Sequence, residues 1–99
     1  MLDKLTSADF IPYLNQTFMI YLEGGAPYPL ELMSVTVQGE AKAEGERRPF
    51  SLIFSNPRKD AYLPQQIYRL AHEKMGPLEL FLVPLGPDQT GMRYEAIFS

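Results

Sequence analysis

The stretch from Leu78 to Ser99 reads LELFLVPLGPDQTGMRYEAIFS, two apolar runs around a loop of turn-forming residues, Gly86-Pro87-Asp88-Gln89-Thr90-Gly91. In the first run Leu78, Leu80 and Leu82 fall at every second position. In the second, Met92, Tyr94, Ala96 and Phe98 do the same, with Arg93 and Glu95 among the residues between them. A period of two sends alternate side chains to one side of a strand, so the stretch predicts a long antiparallel hairpin with that side on a core. Pro84 has no N–H to give to a ladder and is expected to end the first strand or lie at an edge.

Working outward, Gln66 to His72 predicts the preceding strand, with Tyr68, Leu70 and His72 on one parity. Matching inward faces sets His72 opposite Leu78, Leu70 opposite Leu80 and Tyr68 opposite Leu82. The odd-length loop this leaves suits a left-handed residue at Gly76. Phe50, Leu52 and Phe54 share a face in an earlier strand that Ser55-Asn56-Pro57 ends. From Leu30 to Gln38 the phase changes: Leu30 and Leu32 are on one parity, Val35 and Val37 on the other. A one-residue slip flips every side chain, so a β-bulge is expected near Met33-Ser34. Thr17 to Glu23 is the first strand, with Phe18, Ile20 and Leu22 facing one way, and Gly24 to Pro29 is read as a connection. Leu5 to Leu14 predicts a short helix, capped by Thr6 or Ser7 and shortened by Pro12, that plugs an open end of the sheet. Gly39 to Arg48 is polar and small, a surface loop. The expected fold is one all-β domain over residues 1–99, a small antiparallel barrel or sandwich of about six strands with a short N-terminal helix.

With 45% hydrophobic residues the 99-residue chain can bury a core without staples. A net charge of −3 gives no general attraction to nucleic acid or anionic membrane, so neither is expected as a partner. The chain has no cysteine, which excludes disulfides and thiol catalysis. No apolar run approaches the roughly 18 residues of a membrane span, and the N-terminus lacks signal-peptide blocks, so a cytoplasmic location is expected.

Little in the chain points to chemistry. His72 is the one histidine, and on an alternating strand it is expected to be a partly buried, hydrogen-bonded structural residue. Without a second imidazole or a Cys/His spacing there is no zinc signature, and no GxSxG elbow presents a serine. Glu79 and Glu95 could face each other outside the core as paired carboxylates, but a solvated face balanced by Arg69 and Arg93 explains them better. Asp88 is a single carboxylate in its loop, too few for a calcium site, and Gly24-Gly25 lacks the pattern of a phosphate cradle. Arg47-Arg48 is offset by Glu44 and Glu46. No catalytic residue, cofactor site or metal site is therefore assigned.

PFSLIF (residues 49–54), LPQQIYRLAH (63–72), GPLELFLVPLGPDQTGMRYEAIF (76–98) and the opening LTSADFIPYLNQTF (5–18) together resemble a family of small bacterial domains of unknown function. These are strand and turn patterns and bring no catalytic residues with them. Such domains are similar to ones encoded beside phage-tail-collar-type proteins, which implies an accessory or assembly role.

A non-enzymatic interaction or structural module, accessory to a phage-tail-like assembly, is the expected function. The side of the strands opposite the core carries Met19, Tyr21, Ile53, Phe81, Val83 and Ile97, where a half-buried sheet would show polar residues. A contiguous apolar patch marks an interface. A protein partner is expected to cover it, a homodimer being the simplest case. The alternative is a small-molecule or carbohydrate-binding barrel with Tyr21, Tyr28 and Tyr62 lining its mouth.

Overall fold

The computed structural model of the chain describes residues 5–22, 25–37, 48–60 and 62–98. Six antiparallel strands close on themselves in the order β1-β2-β3-β6-β5-β4. They are β1 (Thr17–Tyr21), β2 (Pro27–Val37), β3 (Phe50–Asn56), β4 (Gln66–His72), β5 (Gly76–Pro87) and β6 (Met92–Phe98), preceded by a one-turn helix α1 (Ser7–Phe10) and a 3-10 turn over Ile11–Tyr13. The all-β barrel with a short N-terminal helix is thus present. Most of the proposed surface loop at 39–48 lies outside the described residues.

Alternation decides which side chains go in. Phe18 and Ile20, Leu30 and Leu32, Phe50, Leu52 and Phe54, Tyr68 and Leu70, Leu78, Leu80 and Leu82, and Met92, Tyr94, Ala96 and Phe98 are all buried in one cluster. The two long strands close the barrel by changing partner. Residues 27–31 of β2 pair with β1 and residues 31–37 with β3, with the extra residue Met33 between Leu32 and Ser34. In β5, residues 76–82 pair with β4 and residues 83–87 with β6, and a second irregularity falls between Pro84 and Gly86. A bulge bends a strand and increases its twist, which is what a small barrel needs at its corners. The bulge expected near Met33-Ser34 is therefore a corner of the barrel, and it moves the inward parity from Leu32 to the half-buried Val35.

Three sequence expectations change. Strand β2 begins at Pro27, so Pro27 and Pro29 belong to a strand and not to a connection. Pairing with β3 starts only at Glu31, and the Pro29 carbonyl on that open side accepts the Asn56 side-chain amide at 2.7 Å. The missing N–H of Pro29 points the same way as its carbonyl, where no ladder runs, so it costs nothing. Strand β5 continues through Pro84 to Pro87, because beyond Leu82 it has left β4 and one of its sides needs no donor. The β4–β5 register differs by two residues from the expected one: Leu70 faces Leu78, Tyr68 faces Leu80, Gln66 faces Leu82 and His72 faces Gly76. The turn at residues 73–75 is tighter because Gly76 has φ +75° and His72 Nδ1 accepts the N–H groups of Lys74 and Met75 at 3.0 and 3.2 Å. A shift of two preserves the faces, so the core is the expected one.

The helix closes one end. Asp9 accepts the Thr6 backbone N–H at 2.7 Å, which tightens the first turn. Phe10 then sits against the rings of Phe50 and Phe98 at 5.9 and 5.6 Å, while those two rings stack on each other at 4.5 Å.

Two substitutions test this packing. Leu80→Ala, at a side chain 2% exposed, should cost about 2–5 kcal/mol in chemical denaturation. Gly91 has φ +151°, and a Cβ there would collide with the Asn56 carbonyl beside the β3–β6 ladder. Gly91→Ala should cost about 2 kcal/mol or more by the same measurement, through backbone displacement at that approach.

Candidate functional site

His72 closes the inner row of β4 and is 5% exposed. Its Nδ1 accepts two turn N–H groups, so the ring proton belongs on Nε2, which donates to Gln16 Oε1 at 2.8 Å. The Tyr13 and Phe18 rings lie 4.6 Å from it on either count. Every polar position of the imidazole is occupied by structure, in keeping with a structural residue. What the sequence did not reveal is its partner, Gln16, which precedes β1 and is brought in because the Leu32 N–H donates to the Gln16 carbonyl at 3.0 Å.

Over this histidine, on the outside of the β1–β4 seam, an open cleft of about 680 Å3 is lined by Asn15, Gln16, Thr17, Met19, Tyr21 and Glu73, with Ala71 and His72. Among the described residues the seam has two paired positions, Met19 with Ala71 and Ile20 with Leu70.

The far end of the barrel carries a tyrosine cluster. The Tyr28 and Tyr94 hydroxyls are 2.8 Å apart, the Leu63 N–H donates to Tyr94 at 2.8 Å, and Tyr68 donates to the Pro64 carbonyl at 2.5 Å. Burial, and then the hydrogen bond to Tyr94, hold the Tyr28 phenol well above its ordinary pKa. Tyr21 and Tyr28, two of the three tyrosines expected at a mouth, lie on opposite sides of the barrel wall. Tyr28 shares the inward parity of its partner Ile20, whereas Tyr21 points outward into the cleft.

Other candidates are separated or spoken for. Glu79 faces Arg69 across β4–β5, and Glu95 lies between Ile53 and Val83, so the two carboxylates are not opposite one another. Asp88 Oδ1 accepts from the Thr90 hydroxyl at 2.7 Å and from the N–H groups of Thr90 and Gly91, which pins the β5–β6 turn. Those bonds, the Thr90 hydroxyl first, hold its carboxyl below the usual range. Among the described residues no group of three His, Asp or Glu side chains could hold a metal ion. Nor is any helix among them long and apolar enough to cross a membrane.

The six outward apolar residues fall into two groups. Met19 and Tyr21 belong to the cleft. Ile53, Val83, Phe81 and Ile97 lie on the outside of β3, β5 and β6, where Phe81 and Ile97 are 49% and 62% exposed and Ile53 and Val83 half-buried. Sequence reading missed Ile67, which is 64% exposed and directly opposite Phe81. Its neighbours Gln66 and Arg69 are polar, so nothing in the chain marks it until the register is known.

A match to a described family covers residues 5–98. The chain belongs to the family described as a domain of unknown function, DUF6916. No curated protein and no solved structure matches it. The outer wall of this DUF6916 domain carries exposed apolar side chains on β4, β5 and β6, and a polar cleft over β1 and β4.

The role of His72 is open to measurement. His72→Ala should cost about 2–4 kcal/mol, since it strands two turn N–H groups and empties a ring-lined site. Long-range 15N NMR of the wild type should read Nδ1 as unprotonated and Nε2 as protonated.

Proposed function

We propose that the domain is a non-enzymatic protein-interaction module that engages its partner through the outer face of β4, β5 and β6. One observation carries this reading: Ile67, Phe81 and Ile97 are large, exposed and on three adjacent strands. Ile67 and Phe81 are a direct cross-strand pair. The register that joins Val83 to Glu95 sets Phe81 level with Ile97, although the β5–β6 ladder ends at Val83. Single exposed apolar side chains are ordinary on any surface. A row of three, flanked by the half-buried Val83 and Ile53, is the arrangement that buries well against a second protein. Another copy of the chain is the simplest occupant, because a two-fold axis through such a row makes it self-complementary. The tail-like assembly that the resemblance implies is one setting in which such a module would act as an accessory.

Sedimentation of the wild-type chain at micromolar concentration should give a species larger than the monomer. Phe81→Glu should sediment as a monomer with an unchanged circular dichroism spectrum, since half of that side chain is already in water. A wild-type chain that is strictly monomeric would end the self-association reading.

A further inference from the structure

The cleft over the β1–β4 seam is unrelated to the apolar row, and its chemistry is different. We infer that it is a binding site for a neutral saccharide, with the Tyr21 ring as the stacking surface and the Asn15, Gln16, Thr17 and Glu73 side chains as partners for hydroxyl groups.

The volume, about 680 Å3, is in the range of small-molecule sites. Among the described residues its lining holds one carboxylate, Glu73, and no lysine or arginine, so none of them gives a phosphate or another anion an ion pair. What it does offer is planar hydrogen-bonding groups beside an aromatic ring. Amides and carboxylates present paired donors or acceptors at the spacing of vicinal hydroxyls. An aromatic face takes the C–H side of a pyranose, and Tyr21 is 64% exposed at this edge.

The Gln16 amide and the Asn15 backbone are held in place before any ligand arrives. Gln16 Oε1 accepts from His72 Nε2, which fixes the amide plane and leaves its two N–H donors without a protein partner among the described residues. Asn15 takes φ +68°, a left-handed conformation that asparagine tolerates better than most residues, and its backbone N–H donates to the Leu32 carbonyl at 2.8 Å. The backbone that carries this polar side chain is thus held at the rim by a bond to the barrel wall. Such pre-organisation lowers the ordering cost of binding.

The test is a titration of the 15N-labelled chain with a panel of neutral oligosaccharides (cello-, malto- and chito-oligomers) at millimolar concentration, with spermidine as a cationic probe. At least one saccharide should shift the amides of residues 15–21 and 71–73 in a saturable way. Tyr21→Ala should weaken that binding about tenfold or more, the loss expected for one stacked ring. Gln16→Ala should weaken it as well, with the spectrum of each variant reporting an intact fold. Phe81→Glu should leave it unchanged, which separates this site from the apolar row. Shifts from spermidine with none from any sugar would overturn the saccharide assignment, as would a panel that leaves these amides unmoved.

Discussion

Closing six short strands requires two of them to belong to both halves of the barrel, and the rest of the structure depends on those two bends. Strands β2 and β5 are the long ones, 11 and 12 residues, and each gives its first half to one neighbour and its second half to another. At each bend one flank of the strand has no ladder to satisfy. That is where Pro27, Pro29 and Pro84 can be housed, and where the Asn56 amide takes over from a missing strand. A bulge has a second consequence, because it reverses which parity faces the core. Leu32 and Val35 can both face inward only because Met33 is the extra residue between them.

Both ends of the barrel are then filled from within. Phe10 joins Phe50 and Phe98 at one end, and at the other Tyr28 and Tyr94 bond to each other while Tyr68 bonds to the Pro64 carbonyl. Between them Phe18, Phe54, Leu52, Leu70 and Leu82 are wholly buried. An eight-stranded barrel has an interior just wide enough to be filled by side chains or to hold one small ligand, and six strands leave less. Both surfaces proposed above accordingly lie on the outer wall. This moves the carbohydrate reading from the barrel mouth, where Tyr28 is tied to Tyr94, to the outside of β1, where Tyr21 projects.

The core was legible in the sequence because burial on one side of a strand writes itself as a period of two. Leu78, Leu80 and Leu82 against Met92, Tyr94, Ala96 and Phe98 needed no partner to be read, and the break in phase around Met33 located a bulge. Registers were less legible, since they depend on turn chemistry that no periodicity carries. His72 receiving two turn N–H groups shortens the β4–β5 loop by two residues, and nothing in the string HEKMG states that it will. The outer surface was least legible of all. Parity separates outside from inside but does not say where around a closed wall a residue lies. Met19 and Tyr21 therefore shared a parity class with Phe81 and Ile97 without sharing a surface, while Ile67 was overlooked beside Arg69.

Strand β4 shows how the wall divides. Its outward side chains run Ile67, Arg69, Ala71: the first belongs to the apolar row, the last to the cleft, and the charged residue between them faces Glu79. At about 3.3 Å per residue, Ile67 and Ala71 are about 13 Å apart along the strand. Opposite charges paired across strands are worth less than about 1 kcal/mol, so Arg69 and Glu79 contribute little to holding the barrel together. They set a charged pair between the two surfaces, so that an apolar partner seated on Ile67 and Phe81, as proposed, would gain nothing by sliding over Met19. A protein covering the apolar row would then leave the cleft open at its edge. The chain could meet two different ligands on one side of the wall without either displacing the other.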